Sequence, residues 1–199
     1  MTSILKVDTI QDADGNNIIN ESGNTITIGA SGDTTNIIGT LQNDGAAVGG
    51  DNKPVFAVSK SGGSNQTISH GSYTKVTFSN ELFDPDSVFA SDKFTVPSGK
   101  GGHYLFSWNL QIEDSDSAIV RMITQIYKNG SGVSSAQMRS EGGDTVFANY
   151  TISQTRIVSA SAGDYFEVYI YQESSNGSSV ILEASTNHNQ FFSGTKLIT

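Results

Sequence analysis

A chain of 199 residues has room for one well-buried domain and a modest extra segment. Its net charge of −9 leaves it without the basic surface that would neutralise phosphates, and it has no apolar run long enough to span a bilayer, so neither nucleic acid nor membrane insertion is expected. The lack of cysteine rules out a disulfide framework, thiolate metal ligands and a cysteine nucleophile, while 36% hydrophobic content with 21 glycines favours short strands and tight turns over helices.

Residues 1–54 contain none of the aromatic side chains, all of which fall at or after Phe56. Large apolar groups are what a small core needs to exclude water, so this first quarter is not expected to fold as an ordinary globule. The opening Met1-Thr2-Ser3-Ile4-Leu5-Lys6 runs into the polar stretch 8–17 and has no signal-peptide core, so classical secretion is not expected. Aliphatic pairs (Ile4/Leu5, Ile18/Ile19, Ile26/Ile28, Ile37/Ile38) alternate with turn signals at Asp14-Gly15, Ser22-Gly23-Asn24, Ser31-Gly32-Asp33 and Asn43-Asp44-Gly45, a pattern of short β-segments. Each segment offers an aliphatic stripe too narrow to bury alone. Copies from several chains packed about an axis, as in a fibre shaft, would bury it; a tail that orders on docking is the alternative. Residues 46–54 (AAVGGDNKP) have linker composition and mark the expected boundary between a stem, 1–54, and a head, 55–199.

In the head the hydrophobic period becomes 2. Along Tyr104-Leu105-Phe106-Ser107-Trp108-Asn109-Leu110-Gln111-Ile112 every even position is large and apolar, which assigns Tyr104, Phe106 and Trp108 to a core face. Further strands are expected at 55–59, 73–79, 119–128, 146–152, 165–172, 179–184 and 190–198, and eight or more antiparallel strands imply a sandwich. In the segment Tyr165 to Tyr171, Phe166, Val168 and Ile170 share the core face. Tyr165, Tyr169 and Tyr171 line the opposite face, where a subunit interface would use them; stacking on a ligand is the rival reading.

Several ordered motifs resemble the jelly-roll family of the complement q globular head and tumour necrosis factor. They are Val55-Phe56-Ala57-Val58; Phe94-Thr95-Val96-Pro97 with Gly102-His103-Tyr104-Leu105-Phe106; Lys128-Asn129-Gly130; Gly163-Asp164-Tyr165-Phe166; and Phe192-Ser193-Gly194-Thr195-Lys196-Leu197. The resemblance covers 55–199 and implies a compact homotrimer. In the stem, Ile4-Leu5-Lys6-Val7-Asp8-Thr9-Ile10 and Thr25-Ile26-Thr27-Ile28-Gly29 resemble, over a shorter stretch, the opening segments of phage tail-fibre and other virion appendage proteins, which implies particle attachment through Ile4, Leu5, Val7 and Ile10. Unlike the animal members, the chain has no Gly-X-Y stalk.

Little is available for catalysis. His70, His103 and His188 have no G-x-S-x-G turn to serve, and the cluster Glu113, Asp114 and Asp116 reads as a solvated turn, with calcium ligation as its alternative. The expectation is an all-β, antiparallel jelly-roll sandwich, trimeric, with an extended β-rich stem. It is expected to be a non-enzymatic virion protein, a fibre or capsid decoration with no cofactor and no resident metal. Its expected partners are itself, other virion proteins and host surface glycan or protein. The alternative is a secreted trimeric adhesin or ligand of the same fold.

Overall fold

The computed structural model describes residues 9–11, 13–15, 17–22, 25–29, 31–38, 41–43, 46–47, 52–116, 118–140, 147–184 and 190–197, and contains no helix among them. The chain divides into two compact units, Met1–Gly50 and Asp51–Thr199.

The first unit contains β1 (Thr9–Gln11), β2 (Asn17–Ser22) and β3 (Thr25–Ile28), which form a three-stranded antiparallel sheet, and the hairpin of β4 (Gln42–Asn43) and β5 (Ala46–Ala47). The register places Ile10 opposite Ile19, and Ile19 opposite Ile28. Directly opposed residues share a face, as do residues two apart on one strand, so Ile10, Ile19, Ile26 and Ile28 line one side of the sheet. They are exposed by 39%, 37%, 68% and 55% respectively. Ile37 and Ile38, read from the sequence as a β-segment, belong to no strand and are exposed. Of the attachment residues, Ile10 lies in β1, whereas Ile4, Leu5 and Val7 lie outside the described residues.

The second unit contains β6 (Val55–Ser59), β7 (Gln66–Ile68), β8 (Thr74–Lys75), β9 (Asn80–Phe83), β10 (Phe89–Ala90), β11 (Lys93–Thr95), β12 (Gly102–Glu113), β13 (Ile119–Lys128), β14 (Ser131–Arg139), β15 (Asn149–Ala160), β16 (Tyr165–Ser174), β17 (Val180–Leu182) and β18 (Phe191–Lys196). One sheet has six strands in the order β10-β11-β16-β13-β14, with β8 beside β11 on the same edge of β16. The other has seven: β15 pairs with β12 along its whole length, and β18 and β17 share the far edge of β12, leading to β6-β9 and to β7. The chain passes repeatedly from one sheet to the other and every pairing between named strands is antiparallel, which is the jelly-roll arrangement.

The two inner faces meet in one aromatic core. Tyr104, Phe106, Trp108, Phe166, Val168 and Ile170 are fully buried, joined by Phe56, Phe94 and Phe192. Phe106 lies 4.6 Å from Phe166 across the sandwich, and Phe56 lies 4.9 Å from Phe94 and 5.0 Å from Phe192, within the range at which ring pairs add to simple area burial. The buried Tyr104 hydroxyl donates to the Lys100 carbonyl at 2.6 Å, and burial pushes its pKa up to about 12.

The strand expected at 73–79 shrinks to Thr74–Lys75, because the two amides after Val76 turn to side chains instead of a ladder. The Thr77 N–H donates to Gln66 Oε1 and the Phe78 N–H to Asp92 Oδ1. The strand expected at 146–152 instead spans Asn149–Ala160 and follows β12 to its end.

The turn at Gly163-Asp164 ties two hairpins together. Gly163 has φ +87°, open to glycine without steric cost, and Asp164 accepts from Lys128 Nζ at 2.8 Å, Asn129 Nδ2 at 2.7 Å and the Ser161 N–H at 2.7 Å. The Lys128 contact first, then Ser161 and Asn129, hold the Asp164 carboxyl down at about 2 from its ordinary 3.8. A carboxyl depressed in the fold adds stability above its unfolded pKa and loses it as pH falls from about 4 through about 2. Asp164→Asn is therefore expected to be less stable than wild type at pH 7, with the gap closing towards pH 2. Urea unfolding of both proteins across that range checks this, and a gap that stays constant with pH would contradict it.

Candidate functional site

The outer face of the six-stranded sheet carries the tyrosines of β16, and two more join them from elsewhere in the chain. Tyr169 stacks on Tyr127 of β13 at 4.0 Å, and Tyr73, in the loop before β8, lies 5.1 Å from Tyr171 and 6.2 Å from Tyr127. Tyr165, Tyr169 and Tyr171 are half-buried and Tyr73 is exposed. The Tyr171 hydroxyl donates to Glu173 Oε1 at 2.6 Å, and Glu173 pairs with Arg121 at 3.2 Å, whose guanidinium sits 5.5 Å from the Tyr171 ring centre. Lys93 lies over the Tyr165 ring at 4.9 Å, and Lys75 holds Glu167 at 2.8 Å.

This environment favours the protonated form of Tyr127, Tyr169 and Tyr171. Burial raises the pKa of Tyr127 and Tyr169, and the hydrogen bond to Glu173 raises that of Tyr171 while holding the Glu173 carboxyl down. At neutral pH the face therefore presents hydroxyl donors, aromatic carbon and paired charges. The pattern of β16 alone did not point to Tyr73 and Tyr127; Tyr127 had a local signal, its odd-numbered place beside Gln125 on the outward side of β13, whereas Tyr73 arrives from a loop far away in sequence.

The outer face of the seven-stranded sheet differs. Outward central positions on β12 are Leu105, Ser107, Asn109 and Gln111; on β15 they are Thr151, Ser153, Thr155 and Ile157; on β18 they are Phe191, Ser193 and Thr195. These central positions carry no charge, and short polar groups cross-link them, Ser153 Oγ donating to Asn109 Oδ1 and Ser107 Oγ meeting Thr155 Oγ1. Ile157 is exposed by 61%. Where β14 and β15 run side by side, Val133, Met138 and Phe147 are exposed, and an open depression of about 680 Å³ is lined by Met138, Arg139, Phe147 and Tyr150.

The acidic loop is held together from within. Asp114 is buried, and its Oδ1 and Oδ2 accept from the Asp116 and Ala118 amides, so both oxygens already serve the turn. Among the described residues no group of three or more His, Asp or Glu side chains is placed to hold a metal ion. His70 Nδ1 accepts from the Ser174 N–H at 3.1 Å, His103 is exposed on β12, and His188 lies outside the described residues.

No protein-family profile matches the chain, and no curated protein matches its sequence. Solved structures do match its fold. The Eiger TNF of S. frugiperda aligns with a TM-score of 0.53 at 13% identity, covering 72% of this chain and 92% of that one. Murine APRIL aligns with a TM-score of 0.50 at 14% identity, covering 72% and 98%. The globular domain of zebrafish complement 1qA protein aligns with a TM-score of 0.49 at 19% identity, covering 73% and 98%. The chain therefore contains an all-β jelly roll with the fold of the tumour necrosis factor structures.

Proposed function

We propose that the protein is a non-enzymatic, homotrimeric virion component of a phage, a fibre or capsid decoration whose stem attaches to the particle and whose head contacts the host surface. The observation that carries the reading is the row Ile10, Ile19, Ile26 and Ile28, which stands exposed on a sheet of only three strands. So small a sheet gains stability by packing its apolar side, and identical rows from copies about a shared axis provide the cover. The resemblance of the stem's opening segments to those of virion appendage proteins supports the setting. A secreted trimeric ligand or adhesin of the same fold is the second reading, favoured by the likeness of the head to the tumour necrosis factor fold.

In the head, two surfaces suit a ring of three. Interface centres are depleted of charge, and the central positions on the outer face of the seven-stranded sheet are uncharged. The apolar residues beside β14 and β15 offer a second, different patch, and two unlike patches make a head-to-tail contact, which closes into a ring of three when each copy is turned by a third of a circle. Tyr165, Tyr169 and Tyr171 lie among ion pairs, a setting better suited to an outward-facing surface than to the centre of an interface. On this reading Ile157→Asp, which buries a carboxylate at the contact, shifts the native mass in light scattering from three chains towards one, whereas Tyr169→Ala leaves it at three. The reverse pattern would return the interface to the tyrosines.

The virion role is tested by mass spectrometry of purified particles. The reading expects a fixed copy number divisible by three. Finding the chain only in the culture fluid would favour the secreted alternative.

A further inference from the structure

The tyrosine face has a charge balance opposite to that of the whole chain. Its outward positions carry Lys75, Lys93, Arg121 and Arg139 against Glu167 and Glu173, in a protein whose net charge is −9. Lys75 covers Glu167, which is buried, and Arg121 engages Glu173. Arg139 also acts on Glu173, so the face keeps a net surplus of two cations, with Lys93 and Arg139 at its opposite ends, beside Tyr165 and Arg121 respectively. Between them lie Tyr169, Tyr127, Tyr73 and Tyr171 in mutual contact. From Tyr165 to Glu173 the strip runs about 26 Å at roughly 3.3 Å per residue.

The strip lies on the face of interior strands. β16 is paired on one edge by β11 and β8 and on the other by β13, which is itself covered by β14. A peptide recognised by a sheet commonly adds to a free edge and bonds through its backbone. Here no backbone is on offer along the strip, and recognition falls to side chains alone. Aromatic carbon with protonated hydroxyls matches pyranose rings, which have apolar C–H surfaces and hydroxyl rims. Cations at both ends match repeated carboxylates or sulfates along a chain.

We propose that this strip binds a linear acidic polysaccharide, laid along β16 with its rings against the tyrosines and its anionic groups reaching Lys93 and Arg139. The inference rests on the reading that the head meets the host surface, and it names both the ligand class and the face that binds it.

The test uses the full chain and polygalacturonate, by affinity electrophoresis and by titration with galacturonate oligomers, with dextran, polyglutamate and single-stranded DNA as comparisons. Wild type should be retarded by polygalacturonate and weakened at least tenfold between 0.05 and 0.2 M salt. The double variant Lys93→Glu/Arg139→Glu, which changes two surface charges without touching the core, should lose at least tenfold in affinity, as should Tyr127→Ala/Tyr169→Ala. The assignment is overturned by a lack of retardation, by equal binding of dextran, polyglutamate or DNA, or by charge variants that bind like wild type. Native mass and incorporation into particles are read on the same proteins. Intact trimers and normal particles without polygalacturonate binding would sink this inference alone, whereas binding by a chain missing from particles would sink the virion reading alone.

Discussion

Phe106→Ala is expected to cost about 3–5 kcal/mol of stability, the range for removing a large buried aromatic. Phe106 is fully buried on the central strand β12, and its ring lies within 6.5 Å of those of Phe56, Phe94, Tyr104, Phe166 and Phe192. These neighbours come from both sheets, so the vacated volume lies at the seam of the sandwich, where paired strands limit collapse. For a unit of this size the loss corresponds to a fall in melting temperature of roughly 6–20 °C. Calorimetry of the full chain measures it. A fall of under 2 °C would mean that the sandwich is not held by this cluster.

The opposite change, adding volume at the same seam, is expected to do comparable damage. Gly194 of β18 pairs with Phe106 on one side and Phe56 on the other, and a Cβ built on it would stand 2.6 Å from Phe106 Cδ1 and 2.7 Å from Phe56 Cε1. Such a separation is not tolerated, so two buried rings must move and their stacking partners with them. Gly194→Ala is expected to cost about 1–3 kcal/mol, the range for overpacking, and Gly194→Val more. Gly101→Ala is the control, since the nearest atom to its Cβ is 3.4 Å away. It should stay within about 0.5 kcal/mol of wild type. Equal urea midpoints for the Gly194→Ala and Gly101→Ala variants would show that the core yields where the geometry says it is full.

The residues on inner faces were legible in the sequence because burial imprints its period. Every even position from Tyr104 to Ile112 is large and apolar, and β12 alternates buried and half-exposed in step. Edge and polar strands leave no such imprint. Ser131–Arg139 mixes small polar residues with Val133, Ala136 and Met138 in no alternating order and is mostly exposed, because β14 ends its sheet and is hydrogen-bonded to a strand on one side only; its strand state comes from pairing with β13. The later half of β15 was hidden for a related reason, since the polar Gln154 and Arg156 interrupt its inward row before Val158 and Ala160 resume it. The tyrosine cluster was half visible. Period 2 placed Tyr165, Tyr169 and Tyr171 together, but Tyr127 and Tyr73 reach them only through the pairing of β16 with β13 and β8, which no local window contains. The uncharged face is not legible one strand at a time, because its Ser, Thr and Asn residues read singly as surface. Their arrangement on three adjacent strands, without a charge among the central positions, is what sets them apart.

Assembly is what the proposed function depends on most, because on that reading the isoleucine row, the uncharged face and the apolar edge are each covered by a second copy. Light scattering of the full chain after size exclusion, at micromolar concentration and physiological salt, tests it most directly. The account predicts a mass three times the 21.1 kDa of one chain, unchanged on tenfold dilution. A mass of one chain across that range would contradict it and leave those surfaces facing water.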